Sequence, residues 1–336
     1  MNWICAFSHA TGKLTVRAAS RSWDNLLPDT PAFIDCYGVL SDRLTPAMVD
    51  LCPGMEVIHG EVRSESELVS RIGDRRHVLV YMGYMSAHVM KSCPQLKSIA
   101  YLSTGIATHG DLDHAREAGI PFEGVQGYCD HAVAEHTVAL AMSGLKRLPA
   151  MDKAVRNGHW QLTRTKEFRG SVFGIIGLGG IGLQTARVAH ALGARVIGWN
   201  RSQIAPASFV EQMPLDEVLR QSDMLSTSLA LNDMTGNFIT TEHIRKMKPG
   251  VVLVNCSRGG IIDQEALLQG LQSGHIGVAC LDVFHQEPPR VDDPLLSLDN
   301  VIVTPHSAWY TDQSIDNLMI AGIRLLKDHI SRFSHV

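Results

Sequence analysis

The sequence predicts an α/β protein made of two doubly wound parallel-sheet domains. Three observations predict it. Short apolar runs rich in β-branched residues alternate with helical stretches along most of the chain, a pattern that builds parallel sheets covered by helices. A small polar break, Gln126 to Asp130, separates two blocks of this kind. A glycine-rich turn lies between a strand and a helix near the head of the second block.

In the first block, PAFIDCYGVL, HVLVYM and LKSIAYLST read as buried strands. SESELVSRIGD reads as a helix capped by Ser64 or Ser66, and DLDHAREAG as one ending at Gly119. After the break, AVAEHTVALAMSGLKRL repeats apolar residues at helical spacing and stops before Pro149. The second block runs through the strand Val172–Ile176, a helix Leu183–Leu192 and the strand Ala194–Trp199. SDMLSTSLAL, a helix from Thr241 to Lys248, GVVLVNCSRG, the helix QEALLQGLQSG and the strands GVACLDVF and NVIVTPH follow. The final helix, SIDNLMIAGIRLLKDHI, has no strand of its own and is expected to return to the first block. The expected domains are therefore 1–127 plus 305–336, which binds substrate, and 128–304, which binds a dinucleotide.

A length of 336 residues suits about two domains. Hydrophobic content of 45% and charged content of 19% are those of an ordinary globular protein. A net charge of -4 gives no reason to expect nucleic acid or an anionic membrane as partner. No uncharged apolar run reaches the roughly 18 residues that span a bilayer. The seven cysteines are scattered singly, with no CxxC pair and no zinc spacing. No metal site is expected, and reduced thiols in the cytoplasm are the simplest reading. The opening stretch, basic and free of acids before Asp24, shares its composition with organellar transit peptides; a first strand with a surface loop, or an upstream start codon, is the plainer reading.

Gly177-Leu178-Gly179-Gly180-Ile181-Gly182 fits G-x-G-x-x-G. The motif alone is weak, but here it follows a strand and opens a helix, the context a dinucleotide site requires. Gly177 would permit the tight turn, Gly179 the approach of a pyrophosphate, and Gly182 close packing of helix on strand. The next strand ends in Asn200-Arg201-Ser202, without the carboxylate that usually meets the ribose of NAD. Arg201, with Asn200 and Ser202, suits a 2′-phosphate, so NADP(H) is the expected cofactor. NAD(H) still fits if Arg201 stacks on adenine or points to solvent.

Arg258, Glu287 and His306 each stand at or just beyond the end of an apolar strand, where open parallel sheets place their ligands. Arginine binds a carboxylate and polarises a carbonyl. Histidine passes a proton near neutrality, and a neighbouring carboxylate orients the ring and favours its charged form.

NCSRGGIID, CLDVFHQEPP and VTPHSAW, after GLGGIG, resemble the D-isomer-specific 2-hydroxy acid dehydrogenase family over roughly residues 75–325. The resemblance implies two Rossmann-like domains separated by a cleft, and a homodimer through the helix near residues 131–148. It implies Arg258 as substrate anchor and carbonyl polariser, Glu287 as the partner of His306, and His306 as the acid/base. Asp282 would touch the nicotinamide carboxamide, with further cofactor contacts at Ala230, Cys256 and Ser257. Backbone N–H groups of Ser103, Thr104 and Gly105 would hold the substrate carboxylate. Residues 105–111 are longer than the family pattern and carry His109.

Trp309, three residues after the histidine, resembles the C-terminal-binding protein branch, where a tryptophan faces substrate. With Tyr84 and Met85 it suggests an apolar or aromatic substituent on the substrate; packing of Trp309 in an interface is the competing reading. The expected reaction interconverts a small 2-keto acid and a 2-hydroxy acid, of the glyoxylate or hydroxypyruvate reductase kind or with a bulkier apolar acid. A dinucleotide-sensing binding protein on the same fold is the alternative, since fold does not fix function.

Overall fold

The computed structural model describes residues 3–6, 15–18 and 30–333. The reading of the opening stretch falls largely outside them; within it, β1 (Trp3–Ala6) pairs antiparallel with β2 (Thr15–Ala18). Two compact units are present, Met1–Tyr128 with Asp312–Val336, and Cys129–Thr311.

In the first unit, β3 (Ala32–Cys36), β4 (Glu56–His59), β5 (His77–Val80), β6 (Ser98–Tyr101) and β7 (Phe122–Gly124) form a parallel sheet in the order β4-β3-β5-β6-β7. Ser64, not Ser66, caps the helix Glu65–Ile72 by accepting the Glu67 N–H at 3.2 Å. The final helix, Asp312–Phe333, packs on β5 and β6.

In the second unit, β8 (Val172–Ile176), β9 (Arg195–Trp199), β10 (Glu211–Gln212), β11 (Met224–Thr227), β12 (Val251–Asn255), β13 (Ile276–Leu281) and β14 (Val301–Val303) are ordered β10-β9-β8-β11-β12-β13-β14. Every pairing is parallel. Both units are thus doubly wound α/β sheets. The winding direction reverses between β8 and β11, the switch point at which such sheets bind ligands. Strand β12 shows why its sequence is continuously apolar. Val252 and Val254 enter the core beneath the helices Asp130–Leu145 and Gly180–Ala191, while Val251 and Leu253 enter the core on the opposite face. Successive side chains alternate faces and both faces are buried.

Several boundaries differ from those expected, three of them by enough to matter. The helix after the polar break ends at Leu145, and a second helix, Leu148–Arg156, begins beyond Arg147, whose φ of 55° is left-handed. Pro149 lies in the first turn of that second helix, where a missing N–H costs nothing. The helix after the glycine turn starts at Gly180, three residues before Leu183. Residues 305–311 stay with the second unit. The Asp282 carboxylate accepts the N–H groups of Ser307 and Ala308, which ties that segment to β13.

Candidate active site

The glycine turn leaves β8 at Gly177, whose φ is 99°. A Cβ there would press on the Ser228 carbonyl, and one at Gly182 would strike the Gly177 carbonyl. Both positions therefore require glycine for close approach. A Cβ at Gly179 would meet nothing within 4 Å. The backbone is open on that side, and the helix Gly180–Ala191 has no side-chain cap on its N-terminus. Uncapped N–H groups and the positive dipole end suit a pyrophosphate. Ile181 sits half-buried in this first turn. The carboxylate of Asp130 lies against Gly180. Burial raises its pKa, with His131 opposing. Sequence reasoning passed over Asp130, since nothing in QGYCD signals that contact.

Asn200, at the end of β9, fastens this turn. Its Oδ1 accepts the Leu178 N–H at 3.1 Å and its Nδ2 donates to the Ser202 carbonyl at 3.1 Å. Its amide is thus engaged within the loop. Arg201 and Ser202 are exposed, and the Arg201 guanidinium has no partner among the described residues. Ala230 is exposed beyond β11, its carbonyl accepting the Thr235 hydroxyl at 2.6 Å.

Strand β12 delivers Arg258 through Asn255, which is 1% exposed. The Asn255 Oδ1 accepts the Thr227 hydroxyl at 2.9 Å and the Ser257 N–H and hydroxyl at 3.0 and 2.8 Å. Its Nδ2 donates to the Arg258 carbonyl at 2.9 Å. A polar residue closing the apolar run VVLVN was the signal for this role. The Arg258 Nη1 donates to the Ser257 carbonyl at 2.8 Å. A Cβ on Gly259 would collide with the Phe284 carbonyl, so the Arg258 turn lies directly on the loop that carries Glu287. The Cys256 thiol is pushed up to about 12, chiefly by burial, so it packs rather than reacts.

His306 Nδ1 and Glu287 Oε2 are 2.6 Å apart. The other carboxylate oxygen, Oε1, accepts the Phe284 N–H at 2.9 Å. Burial pushes the Glu287 pKa up, but the His306 hydrogen bond, the Phe284 N–H and the charges of His306 and Arg258 outweigh it and hold the acid below its ordinary range. With Nδ1 committed to the carboxylate, Nε2 is the nitrogen left for a substrate. A cavity of about 370 Å³ opens here, lined among others by Glu287, Pro288, Leu296, Val303, Pro305 and His306. Arg258, Glu287 and His306 thus gather in the second unit. Asp282 lies there too, 0% exposed beneath residues 304–308. Trp309 is half-buried and meets Tyr310 edge-on, with centroids 5.2 Å apart at 85°.

Ser103, Thr104, Gly105 and Tyr84 belong to the first unit. The Ser103 N–H donates to the Tyr101 carbonyl at 2.9 Å and the Gly105 N–H to the Ser103 hydroxyl at 3.2 Å. The N–H groups of Thr104 and Ile106 have no acceptor among the described residues, so these two are available for an anion. The extra length of the loop forms one 3₁₀ turn, Ile106–Thr108, and stacks His109 on Tyr101 at 4.8 Å. The His109 carbonyl accepts the Met85 N–H at 2.9 Å. Met85 itself is fully buried core, whereas Tyr84 is 53% exposed. Asp35, unforeseen and fully buried, holds this loop by accepting the N–H groups of Tyr81, Met82 and Gly83 at 2.7–2.9 Å.

Residues 138–308 match the family described as D-isomer specific 2-hydroxyacid dehydrogenase, NAD binding domain. The chain is 33% identical to a putative 2-hydroxyacid dehydrogenase of Haemophilus influenzae, covering 77% of this chain and 85% of that protein. It is 34% identical to a glyoxylate reductase of Korarchaeum cryptofilum, covering 76% and 77%. Among solved structures, an acyclic imino acid reductase in complex with NADPH and D-Arg superposes with a TM-score of 0.80 at 26% identity, covering 90% of this chain and 97% of that one.

Proposed function

The chain belongs to the D-isomer-specific 2-hydroxyacid dehydrogenase family, and we propose that it reduces 2-keto acids with His306 as proton donor, Glu287 as its partner and Arg258 as carbonyl polariser. The observation that carries this reading is the 2.6 Å pair between His306 and Glu287, beside a cavity and close enough to Arg258 for its charge to act on Glu287.

A nicotinamide dinucleotide, when bound, supplies hydride transfer at C2 of the acid. Gly177, Gly179, Gly180, Ile181 and Gly182 suit its pyrophosphate, and the open backbone at Gly179 supports that fit. Ala230, Cys256 and Ser257 are assigned to the same cofactor, whereas Asp282, expected at the carboxamide, is 0% exposed and has its carboxylate taken up by Thr304, Ser307 and Ala308. His306 Nε2 gives its proton to the carbonyl oxygen as the hydroxyl forms. The ionised Glu287 keeps the ring aimed. The Arg258 guanidinium has N–H groups beyond the one spent on Ser257, and these stabilise negative charge developing on the oxygen. The substrate carboxylate suits the free N–H groups of Thr104 and Ile106, since those of Ser103 and Gly105 are spent on the Tyr101 carbonyl and the Ser103 hydroxyl.

The unpartnered Arg201 supports NADP(H) over NAD(H). Tyr84 and Trp309 support a substrate with an apolar or aromatic substituent. The apolar face of the helix Asp130–Leu145 is spent inside its own unit, so a homodimer is better supported by the segment that follows. Leu148, Val155, Trp160 and Leu162 are 50–96% exposed there. Among the described residues no helix is long and apolar enough to cross a membrane; a cytoplasmic place agrees with the family's chemistry.

Glyoxylate, hydroxypyruvate and bulkier apolar 2-keto acids are each mixed with the protein and NADPH or NADH, and oxidation is followed at the nicotinamide absorbance band. Turnover of at least one acid is expected. Tight NADPH binding with no turnover of any acid would remove the reductase reading and leave a dinucleotide-sensing protein.

A further inference from the structure

His306 has a φ of 52°. A left-handed backbone is uncommon for any residue other than glycine, and something must hold it. The holder is Asp282, which follows β13 and is 0% exposed. Its carbonyl accepts the His306 N–H at 2.8 Å. Its Oδ1 accepts the Ser307 N–H at 2.9 Å and the Thr304 hydroxyl at 2.5 Å, and its Oδ2 accepts the Ala308 N–H at 2.9 Å. One buried residue thus binds every residue from 304 to 308 except Pro305.

Thr304 is the only side chain in this strap, and it does not act alone. His136, on the helix Asp130–Leu145, places Nε2 3.2 Å from the Thr304 hydroxyl and 3.6 Å from Asp282 Oδ1. Counting protons fixes the direction of the chain. A carboxylate only accepts, so the single hydroxyl proton of Thr304 goes to Asp282. His136 must then donate from Nε2 to the Thr304 oxygen. The order is His136 Nε2–H to Thr304 O–H to Asp282. Each bond polarises the next in a partly buried setting.

We propose that Thr304, backed by His136, is a positioning residue for His306. Its hydroxyl holds the Asp282 carboxylate in the orientation that receives Ser307 and Ala308, and so fixes the left-handed turn that aims the His306 ring at Glu287. This rests on His306 being the proton donor. A small misplacement of a reacting group costs rate steeply, and the hydrogen bonds of Thr304 and His136 run to Asp282 rather than to the glycine turn.

The test is Thr304→Val, which keeps the shape and removes the hydroxyl, beside Thr304→Ser and His306→Asn. Thr304→Val is expected to lower kcat about tenfold to a hundredfold, with little change in NADPH affinity read by nucleotide fluorescence. Thr304→Ser is expected to restore most of the rate. If Thr304→Val does not fold, His136→Leu carries the question, and the same fall in kcat with unchanged NADPH affinity is expected. Wild-type kcat in Thr304→Val or His136→Leu, with His306→Asn inactive, overturns the positioning role alone. Full activity in His306→Asn overturns the assignment of His306 and the strap with it. Equal loss in Thr304→Val and Thr304→Ser also overturns the role, since the hydroxyl is then not what matters.

Discussion

Arg201→Ala is expected to separate NADPH from NADH. The guanidinium is exposed at the end of β9 and has no partner among the described residues, so its loss costs the fold nothing and acts only on the cofactor. A hydrogen bond between charged groups contributes about 1.5–3 kcal/mol, and exposure places Arg201 near the lower half of that range. About 2 kcal/mol is about a thirtyfold rise in Kd. NADH lacks the phosphate and is expected to bind as before. The ratio of kcat/KM with NADPH to that with NADH therefore falls about thirtyfold, read under one keto acid at fixed salt. Asn200→Asp pushes the same way. An aspartate still accepts the Leu178 N–H that Asn200 Oδ1 now accepts at 3.1 Å. It also adds a carboxylate that repels a phosphate and suits ribose hydroxyls. A ratio that moves less than about threefold in Arg201→Ala, against the thirtyfold worked above, means that the guanidinium does not face a 2′-phosphate.

Glu287→Gln keeps the hydrogen-bonding shape and removes the charge; because the native acid lies below its ordinary range, it is ionised throughout neutral assays. Reduction at neutral pH is expected to fall about tenfold or more and to recover in part on acidification; a pH profile that overlays the wild type refutes this. Asp223 receives the Val172 N–H at 3.0 Å and Lys166 and Lys248 at 3.2 Å each. Burial raises its pKa, these contacts lower it, and the net is a depression. Its stabilisation is therefore full above the unfolded carboxylate value, about 3.9, and is lost as pH falls through the lower folded value. Asp223→Asn should cost about 1–2 kcal/mol at neutral pH, seen as a lower Tm, and the gap should close in strong acid; a gap independent of pH contradicts the linkage. Trp309→Ala should lower kcat/KM for an aromatic 2-keto acid about tenfold more than for glyoxylate; equal losses place Trp309 outside the substrate pocket.

What was legible in the sequence depended on burial. Strand β12 announced itself because both its faces are covered, and β8 with the glycine turn did so because close backbone approach demands glycine. Strands β4, β7 and β10 gave no such signal. All three lie at sheet edges, and their residues Glu56–His59, Phe122–Gly124 and Glu211–Gln212 are mostly half-exposed. An edge strand has one covered side at most and need not be apolar. Arg258, Glu287 and His306, the proposed reacting residues, were readable from their place after apolar strands. Asp282 was readable only as a motif residue. Its grip on residues 304–308 depends on two segments more than twenty positions apart meeting in the fold, which local pattern does not encode.

Asp35, Asn255 and Asp282 show one device used three times. Each is at most 1% exposed, and each sits within one residue of the end of an apolar strand. Burying such groups is costly unless they are bonded, and each offsets that cost by collecting N–H or hydroxyl groups from an adjoining loop. The loops so collected carry Tyr84, Arg258 and His306. The device thus turns a folding requirement into placement of functional groups, because the loop cannot shift without stranding a buried polar atom. Arg201 is held differently. It stands exposed at the tip of a turn stitched by Asn200 and Gln212, and no bond fixes its own side chain. Replacing it leaves no buried atom unpaired. Under the proposed roles, substitution at Arg201 is therefore expected to shift cofactor choice without disturbing the chemistry at His306, whereas a change at Asp282 is expected to disturb that chemistry.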